Sequence, residues 1–531
     1  MAEEVQKVTM EKIVSLCKRR GFIFPSSEIY GGLGSCWDYG PLGVELKRNV
    51  KDAWWHEIVH KRHDVVGLDA SIMMHPKAWV ASGHVEGFSD PLVDCKSCRM
   101  RWRATDLKEN KCPSCGGELT EQRMFNLMFK TFMGPVEDEA SIIYLRPETA
   151  QGIFVNFDNV ISTTRKKLPL GIAQTGKSFR NEITTGNFIF RTREFEQMEL
   201  EFFIKPDEAV EAISGSVAAP TSKGHPGEPQ TDWGWQLWHQ YWVEERIKFY
   251  EGIGLPRTTL VEYWQKAEDL AHYARATVDI LFKFPFSKRD EKGELMGEEL
   301  EGVAARSDFD LSQHARFAGK PMGVFDEELR AGWAKLPKEK QDDLWRRYYE
   351  NRKKYLTKMG VEAEAASKQA TEDANGLAKG QYVPHVIEPS AGVDRLTLAL
   401  ICNAYSEVIE TDAKGKSETR VILKFHPRVA PIKAGVMPLL KNKPELVKKA
   451  LEVRDLLRPW MNVFYDDAGS IGRRYARQDE AGTPFCVTID FDTLGEKPEL
   501  LDTVTLRHRE DGRQDRVKIS ELLTLLLEKI R

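Results

Sequence analysis

The clearest hydrophobic pattern in the chain is an alternation of side chains that runs from Phe195 to Phe203. The residues fall on two sides, with Glu196, Met198, Leu200 and Phe202 on one and Phe195, Gln197, Glu199, Glu201 and Phe203 on the other. Successive side chains of a β-strand point to opposite faces, so this period of two predicts a strand. One of its faces carries carboxylates. A segment of strand character, Gly171 to Phe179, precedes it across a polar loop, and together they predict a strand–loop–strand unit.

The same stretch permits a second interpretation. Residues 171–178 fit the phosphate-loop spelling G-x-x-x-x-G-K-[ST]. That loop needs a buried apolar strand before Gly171 and a helix starting at Lys177 or Ser178, because backbone N–H groups at a helix N-terminus hold the phosphate. The upstream segment is charged and residues 181–187 are polar, so we interpret the spelling as a chance match. A hairpin with a solvated charged face is the plain alternative.

Patterns elsewhere predict the order of elements. The N-terminal part predicts a helix, a glycine-rich turn at residues 31–43 that serves packing, and an amphipathic helix over 44–62. A polar, glycine- and proline-rich loop lies between Pro206 and Trp233. Helical patterning follows from Trp233 to about Ile280, and residues 295–311 predict a strand and a turn.

Two further segments differ in character from the rest. Residues 326–379 are highly charged and predict surface helices, either a solvated hairpin or an appended insertion that contacts a partner. From Thr419 onward, short apolar runs alternate with helical patterns, which predicts a separate α/β domain.

Composition and charge narrow the class of protein. The chain has 531 residues, 41% of them hydrophobic and 30% charged, which is typical of a soluble protein of two to four domains. It lacks an uncharged apolar run of about 18 residues. We therefore expect no membrane association, and the polar N-terminal segment predicts a cytoplasmic location. The net charge of −4 is no nucleic-acid footprint.

Four of the eight cysteines predict a metal site. They are Cys95, Cys98, Cys112 and Cys115, in a C-x2-C, thirteen-residue, C-x2-C arrangement. Two tight knuckles let four thiolates converge on one tetrahedral centre, and four thiolates leave no open position for water. We predict a structural zinc, with disulfides as the alternative for an oxidising compartment. The other cysteines, at 17, 36, 402 and 486, are expected to be buried apolar residues.

Several motifs resemble one family. FRNE at Phe179 to Glu182, followed by FRTREFEQMELEFF, resembles motif 2 of the class II aminoacyl-tRNA synthetases, most closely the glycine-specific members. The helix after Pro41 resembles motif 1, and VIEPSAGVDRLTLAL, starting at Val386, resembles motif 3. RPETAQGIF at Arg146 and EELEGVAARSDFDL at Glu298 also match, in the same order. The C-terminal α/β segment resembles the anticodon-binding domain of this class.

The resemblance implies an α+β fold and a division of the chain. A catalytic domain with an antiparallel sheet is expected over residues 1–418, with a zinc-knuckle insertion at 92–120 and a helical insertion at 326–379. An anticodon-binding domain is expected over 419–531. The motif 1 helix implies a homodimer.

The resemblance also implies an activity. Glycine would be activated with ATP and Mg²⁺ to glycyl-adenylate and pyrophosphate, and then transferred to tRNA(Gly). By resemblance, Arg180 holds the α-phosphate and the amino-acid carboxylate, and Phe195 stacks on adenine. Arg395 clamps the distal phosphates, Glu299 holds magnesium, and Arg103 contacts substrate. Such a reaction depends on positioning and electrostatics rather than proton transfer.

The implied site residues form three sets. The catalytic set is Arg180, Glu182 and Arg395. The ATP-binding set is Arg180, Asn181, Glu182, Phe190, Arg191, Thr192, Arg193, Glu194, Phe195, Glu299, Leu300, Gly392, Val393, Asp394 and Arg395. The glycine-binding set is Arg103, Glu148, Phe195, Glu196, Gln197, Met198, Glu199, Arg306, Glu388, Pro389, Ser390, Ala391 and Gly392.

Within the glycine set, Glu148, Glu199, Glu388 and Ser390 are expected to surround the ammonium group. Any larger amino acid would clash, so no editing domain is required. Anticodon reading would use Arg473, Arg474 and Arg477 beside Tyr475, although an arginine-rich helix is usually just solvated.

Other classes of function remain as alternatives. They are an inactive synthetase-like binding module, a P-loop ATPase, and a ligase for proline, threonine or histidine. A binding module has no reason to keep Arg180, Glu182, Glu299 and Arg395 together, which argues against the first.

Overall fold

The computed structural model describes residues 8–107, 109–221, 224–271, 273–411 and 417–530. Up to residue 204 its helices are α1 (Met10–Arg20), α2 (Pro41–Trp55), α3 (Pro76–Ala81), α4 (His84–Gly87), α5 (Ala150–Phe154) and α6 (Phe157–Thr164). The strands of this part are β1 (Ile23–Pro25), β2 (Trp37–Tyr39), β3 (Val65–Gly67), β4 (Ser89–Asp94), β5 (Arg101–Arg103), β6 (Arg123–Asn126), β7 (Lys130–Phe132), β8 (Ile142–Tyr144), β9 (Leu170–Phe179) and β10 (Glu194–Ile204).

The middle of the chain, from residue 205 to residue 423, contains further helices and strands. The helices are α7 (Asp207–Ser214), α8 (Trp235–Gly252), α9 (Phe309–Ala318), α10 (Glu327–Lys335), α11 (Lys338–Lys358), α12 (Ala363–Leu377) and α13 (Val393–Ala404). The strands are β11 (Leu260–Trp264), β12 (Ala276–Phe282), β13 (Glu298–Ser307), β14 (Val324–Phe325), β15 (Gln381–Tyr382), β16 (His385–Gly392), β17 (Tyr405–Thr411) and β18 (Ser417–Leu423).

A seven-stranded sheet in the order β11-β12-β13-β16-β10-β9-β3 organises this part of the chain. Its neighbours pair antiparallel except β3, which runs parallel to β9 at the edge. One face is largely apolar and packs against α8, where Phe202 meets Trp238 and Trp242 and the buried Glu301 pairs with Arg246. The predicted antiparallel sheet is confirmed. On the face away from α8, the central strands β13, β16 and β10 carry the carboxylates of Glu299, Glu388 and Glu199.

Close packing explains two glycines at the start of α2. A side chain at Gly43 would place its Cβ only 1.9 Å from the carbonyl oxygen of Phe22, and one at Gly40 would lie 2.5 Å from that of Gly21. Only glycine permits the start of α2 to approach this backbone so closely. The predicted helix over 44–62 is observed as α2 and a following π-helical turn at His56–His60.

The charged segment after residue 326 is helical, as predicted, but has three helices rather than two. α10, α11 and α12 share a core with α7 that includes Ala209, Leu329, Trp333 and Leu344. Ion pairs from Lys340 and Arg347 to Glu211 on α7 tie this group to the sheet-bearing part.

The prediction of helix from Trp233 to about Ile280 is wrong beyond Gly252. The turn at Gly254 and Pro256 ends α8, and β11 and β12 follow. In β12, Val278, Ile280 and Phe282 are buried at alternate positions, a period of two that belongs to a strand.

The C-terminal part is an α/β unit. It contains β19 (Ala434–Pro438), α14 (Pro444–Leu457), β20 (Val463–Tyr465), α15 (Ile471–Ala481), β21 (Phe485–Ile489), β22 (Thr503–His508), β23 (Gln514–Lys518) and α16 (Ile519–Ile530). The sheet order is β20-β19-β21-β22-β23, with β19 parallel to both neighbours. The sequence pattern predicts neither β19 nor β23. The predicted domain boundary between residues 418 and 419 falls inside β18, which pairs with β17 in a hairpin. This boundary stays a prediction.

Among the described residues, no helix has the length and apolar composition needed to cross a membrane.

Candidate active site

An open cavity of about 290 Å³ lies on the polar face of the seven-stranded sheet. Strands β10, β12, β13 and β16 and the loop between β9 and β10 form its walls. The predicted residues that line it are Glu148, Arg180, Glu182, Phe190, Arg191, Thr192, Phe195, Gln197, Glu199, Glu299, Leu300, Glu388, Ser390, Gly392, Asp394 and Arg395. The fold therefore brings most of the predicted ATP and glycine residues to one place.

The remaining predicted residues do not line this cavity; they are Arg103, Asn181, Arg193, Glu194, Glu196, Met198, Arg306, Pro389, Ala391 and Val393. Strand alternation accounts for several. Met198 and Ala391 are buried in the apolar core on the other face of the sheet. Glu196, on that same face, pairs with Lys47 and Lys51 of α2.

The others have partners outside the cavity. Arg103, on β5, pairs with Asp90 at 2.8 Å. Arg193 donates to the carbonyl oxygen of Gly34, and Glu194 is exposed and pairs with Lys177. The backbone N–H of Asn181 donates to Leu127. Val393 is fully buried in the core, and Pro389 lies on β16 among the pairs that hold this strand to β13.

Arg180 is held between two aromatic rings. Its guanidinium lies 5.2 Å from the ring centre of Phe195 and 5.3 Å from that of Phe88, and Nε donates to the carbonyl oxygen of Pro147 at 3.0 Å. These contacts leave the fork of the guanidinium at the cavity wall, a geometry suited to phosphate or carboxylate oxygens.

Arg395 and Glu299 form the opposite end of the cavity. Arg395 Nη1 donates to a Glu299 carboxylate oxygen at 2.9 Å, and Nε donates to the carbonyl oxygen of Phe190 at 3.2 Å. Asp279 lines the same wall, where Gln265 donates to both of its oxygens. Burial, with the charge of Glu299, raises the pKa of Asp279 to about 6. Neither Asp279 nor Gln265 was predicted, because their segment had been interpreted as helix.

Three carboxylates converge at the inner end. Glu199 is 1% exposed and Glu388 8% exposed. Burial and the nearby Glu148 charge raise the pKa of Glu199. Burial also raises the pKa of Glu388 to about 8, against the opposing effect of Arg306. Burial alone would raise the pKa of Glu148, but His84 and Arg306 hold it below its usual value. The inner end thus concentrates carboxyl groups whose ionised forms a bound cation would stabilise.

A buried network supports these carboxylates from below. Arg306 donates twice to Asp310, at 2.8 and 2.9 Å, and once to Glu388 at 2.5 Å. Gln151 donates to Asp310 and to Glu148, each at 3.0 Å. Arg306 therefore orients the site without lining it. Gln151 and Asp310 stand within the quoted motifs, but they carried no separate signal.

Comparisons with known proteins agree with this geometry. A model of the tRNA synthetase class II core domain (G, H, P, S and T) matches residues 132–221, and one of the anticodon binding domain matches residues 433–529. The chain is 44% identical over 534 residues to the glycine–tRNA ligase of Treponema denticola, covering 99% of this chain and 98% of that one. It is 43% identical over 539 residues to that of Thermobifida fusca, with 98% of each covered. The chain belongs to the glycine–tRNA ligase family.

Family membership confirms the predicted synthetase core and anticodon-binding domain, and with them the enzyme class. An inactive binding module and the ligases for proline, threonine and histidine are disfavoured, because these glycine–tRNA ligases match nearly the full length.

The P-loop interpretation is wrong for this glycine–tRNA ligase family member. Residues Leu170–Phe179 form strand β9, and no helix starts at Lys177. The two glycines of the spelling have packing roles instead. A Cβ at Gly171 would lie 2.8 Å from Leu200, and one at Gly176 would lie 2.2 Å from the guanidinium of Arg146.

The four predicted cysteine ligands come together outside the cavity. Their Sγ atoms all lie within 4.8 Å of one another. The Cys95–Cys115 pair is at 3.5 Å and the Cys98–Cys112 pair at 3.6 Å. Tetrahedral coordination by four thiolates places sulfurs about 3.8 Å apart, so the cluster fits a zinc ion.

The predicted anticodon residues on α15 differ in exposure and in their partners. Arg474 is 2% exposed and donates to the carbonyl oxygens of Asp467 at 3.0 Å and Gly469 at 2.8 Å. It has a structural role, and the prediction that it faces RNA is wrong. Arg477 pairs with Asp466. Arg473 is exposed.

Proposed function

We propose that the cavity binds glycine and ATP together and catalyses formation of glycyl-adenylate, with later transfer of glycine to tRNA(Gly). The observation that carries this proposal is the charge pattern along the cavity. Glu199 and Glu388 lie within 4.8 Å of one another, with Glu148 nearby. Arg180 lies over Phe195, four residues earlier on β10, and Arg395 follows the end of β16, so both arginines stand further along the strands. This order matches the ammonium and carboxylate of an amino acid followed by a polyphosphate.

The activation step depends on these fixed charges. The carboxylate of glycine attacks the α-phosphorus of ATP, and the bond to pyrophosphate breaks. Arg180 would neutralise charge on the α-phosphate and hold the attacking carboxylate in line. Arg395 would hold the leaving pyrophosphate, and Phe195 would stack on adenine. Glu182 lines the same wall. All of these groups position reactants, and none needs to transfer a proton.

Specificity would follow from the size and charge of the inner end. Glu199 accepts a hydrogen bond from Thr149, which fixes its carboxylate. The ammonium of glycine would meet Glu148, Glu199 and Glu388, with Ser390 beside them. A larger amino acid would have to displace buried, hydrogen-bonded side chains.

Two metal ions suit the donor groups. Glu299 and Asp279 both line the outer end of the cavity and offer the carboxylate oxygens that Mg²⁺ prefers. Bound there, magnesium would neutralise phosphate charge. The four cysteines would hold a structural zinc, since no ligand position remains for substrate. Four such thiolates require a reducing compartment, and a cytoplasmic location is proposed with them.

Two partners are proposed outside the cavity. The anticodon-binding domain would contact tRNA(Gly), with exposed Arg473 as one of its basic groups. A second copy of the chain would cover the segment before α2, where Ile29 is 87%, Tyr30 86% and Leu33 64% exposed. Apolar side chains grouped in this way are typical of an interface, and this supports a homodimer.

ATP–pyrophosphate exchange tests the proposal. Glycine should support exchange, whereas alanine, serine, proline, threonine and histidine should not. Arg180→Ala should reduce kcat/KM by about 100-fold or more. Lys177→Ala is the matched control, because Lys177 is exposed and pairs with Glu194 outside the cavity. An enzyme that shows no exchange with glycine would refute the proposal.

A further inference from the structure

Glu201 is a fully buried carboxyl that the activation step leaves without a role. It stands two residues after Glu199 on the same face of β10 and is 0% exposed. Within the described part of the chain, neither of its oxygens has a hydrogen-bond partner. An ionised carboxylate without a partner is very costly to bury. The side chain therefore requires an explanation.

The position of Glu201 links it to the glycine-binding carboxylates. Oxygen atoms of Glu199, Glu201 and Glu388 all lie within 4.8 Å of one another. The strand register agrees, since the flanking pairs Glu199–Ser390 and Phe202–Ile387 set Glu201 beside Glu388. Glu201 is not among the residues that line the cavity. It thus forms a second layer directly behind the inner end.

The nearby cation already has its partners. Arg306 donates to Asp310 and to Glu388, and within the described residues it makes no hydrogen bond to Glu201. The ammonium group of glycine would add one positive charge at Glu199. A charged Glu201 would then remain uncompensated in the interior.

The remaining neighbours do not change this balance. The charged groups that face Glu201 are Glu388 on β16, Arg306 on β13, Glu199 on β10 and Asp310 on α9. On β9, Ile172 lies opposite Glu201 and the neutral Gln174 lies opposite Glu199. Burial, reinforced by the charge of Glu388, raises the pKa of Glu201 well above its usual value.

We propose that Glu201 is a positioning residue of the glycine site, a neutral acid whose O–H donor stands behind Glu199 and Glu388 and favours their ionised forms. This inference rests on the proposed function, because it assumes that both carboxylates meet the ammonium of glycine. A carboxylate with a donor nearby ionises more readily, and an extra buried negative charge is avoided.

Two substitutions separate the features of Glu201. Glu201→Gln keeps a neutral donor of the same size, so the glycine KM should stay within about threefold of the wild type. Glu201→Leu removes the donor. Its glycine KM should rise about tenfold or more near pH 7, and the pH at which glycine binding improves should move upward. The ATP KM should not change in either variant.

Glu199→Gln provides the contrast, since it removes a charge that faces the ammonium. Each variant is assayed by ATP–pyrophosphate exchange from about pH 6.5 to about pH 8.5, and thermal unfolding confirms that it is folded. Glu201→Met replaces the leucine variant if that one does not fold. The proposal is overturned if Glu201→Gln is as impaired as Glu199→Gln, which would mean that Glu201 is charged. It is also overturned if the apolar variants match the wild type at every pH. A wild-type enzyme without glycine-dependent exchange would instead refute the proposed function.

Discussion

At the scale of single residues, the inner end of the cavity is organised by buried charge. Glu199 and Glu388 are taken almost completely out of water, and the guanidinium that pairs with Glu388, that of Arg306, is shared with Asp310. Buried carboxylates of this kind are destabilised when ionised unless a cation joins them. The ammonium of glycine is such a cation. The same burial that makes the empty site costly thus favours binding of a small ammonium compound.

This arrangement predicts a pH dependence for glycine binding. The pKa of Glu388 is raised to about 8 and that of Glu199 is also raised. Below a raised pKa the carboxyl holds a proton and is neutral, so it attracts an ammonium poorly; as the pH rises, it ionises. The glycine KM should therefore fall about tenfold between about pH 6 and about pH 8. Exchange kinetics at several pH values measure it, with ATP held at a saturating concentration at each pH. A glycine KM that is flat over this range contradicts the prediction.

At the scale of elements, the sequence predicted those parts whose pattern differs between faces or whose motif is recognisable. β10 is an example, because its carboxylates and its apolar residues alternate over Phe195–Phe203. β19 was missed, since all five of its residues are buried and no alternation shows. Because the segment of β12 is predicted as helix, the sequence does not indicate Asp279 as a site residue. Motif resemblance found the site, but it could not tell which face of a strand a residue occupies, so Glu196 was assigned to glycine.

The cysteine cluster is an element whose stability we expect to depend on metal. The prediction is one zinc per chain, measured by elemental analysis of purified protein. Cys112→Ser should lose the zinc and expose β4–β6 to protease, because Cys112 and Cys95 are buried in the small core of this insertion. Cys36→Ser is the control and should retain zinc, since Cys36 lies apart from the cluster. Full zinc content in Cys112→Ser would contradict the assignment.

Helix α15 gives a prediction that separates folding from RNA contact. Arg474 is buried and ties α15 to the loop at Asp467 and Gly469. Arg474→Met should lower the free energy of unfolding by about 3 kcal/mol, because the carbonyl oxygens of Pro438, Asp467 and Gly469 lose their donor. The neighbouring Arg473→Ala should leave stability within about 0.5 kcal/mol and raise the KM for tRNA instead. Chemical denaturation and aminoacylation kinetics measure these effects. A stable Arg474→Met variant with impaired tRNA binding would reverse the assignment.

At the scale of the whole molecule, the C-terminal part of the chain contacts the N-terminal helices. Arg20 on α1 donates to the carbonyl oxygen of Arg477, and Arg428 pairs with Glu57 just after α2. Asn49 on α2 donates to the carbonyl oxygen of Ala430. α2 also reaches the cavity wall, because Lys47 pairs with Asp394 at 2.8 Å. Helix α2 therefore lies against both the segment that leads into the anticodon-binding domain and the cavity wall.

The dimer surface is tested through its most exposed apolar residue pair. Ile29 and Tyr30 stand almost fully in solvent just before the glycine-rich turn that leads into α2. Tyr30→Asp should weaken dimerisation about 100-fold or more, since a charge would replace a large ring in the proposed interface. Leu501→Asp is the matched control, because Leu501 is 55% exposed in the C-terminal domain, away from this surface. Sedimentation velocity across a concentration series should show the Tyr30 variant dissociating first, while the control sediments like the wild type. Helix α2 follows this segment and carries Lys47, which pairs with Asp394 at the cavity wall. We therefore expect the monomeric variant to lose exchange activity together with dimerisation. Should the Tyr30 variant remain a dimer at every concentration, the interface lies elsewhere on the chain.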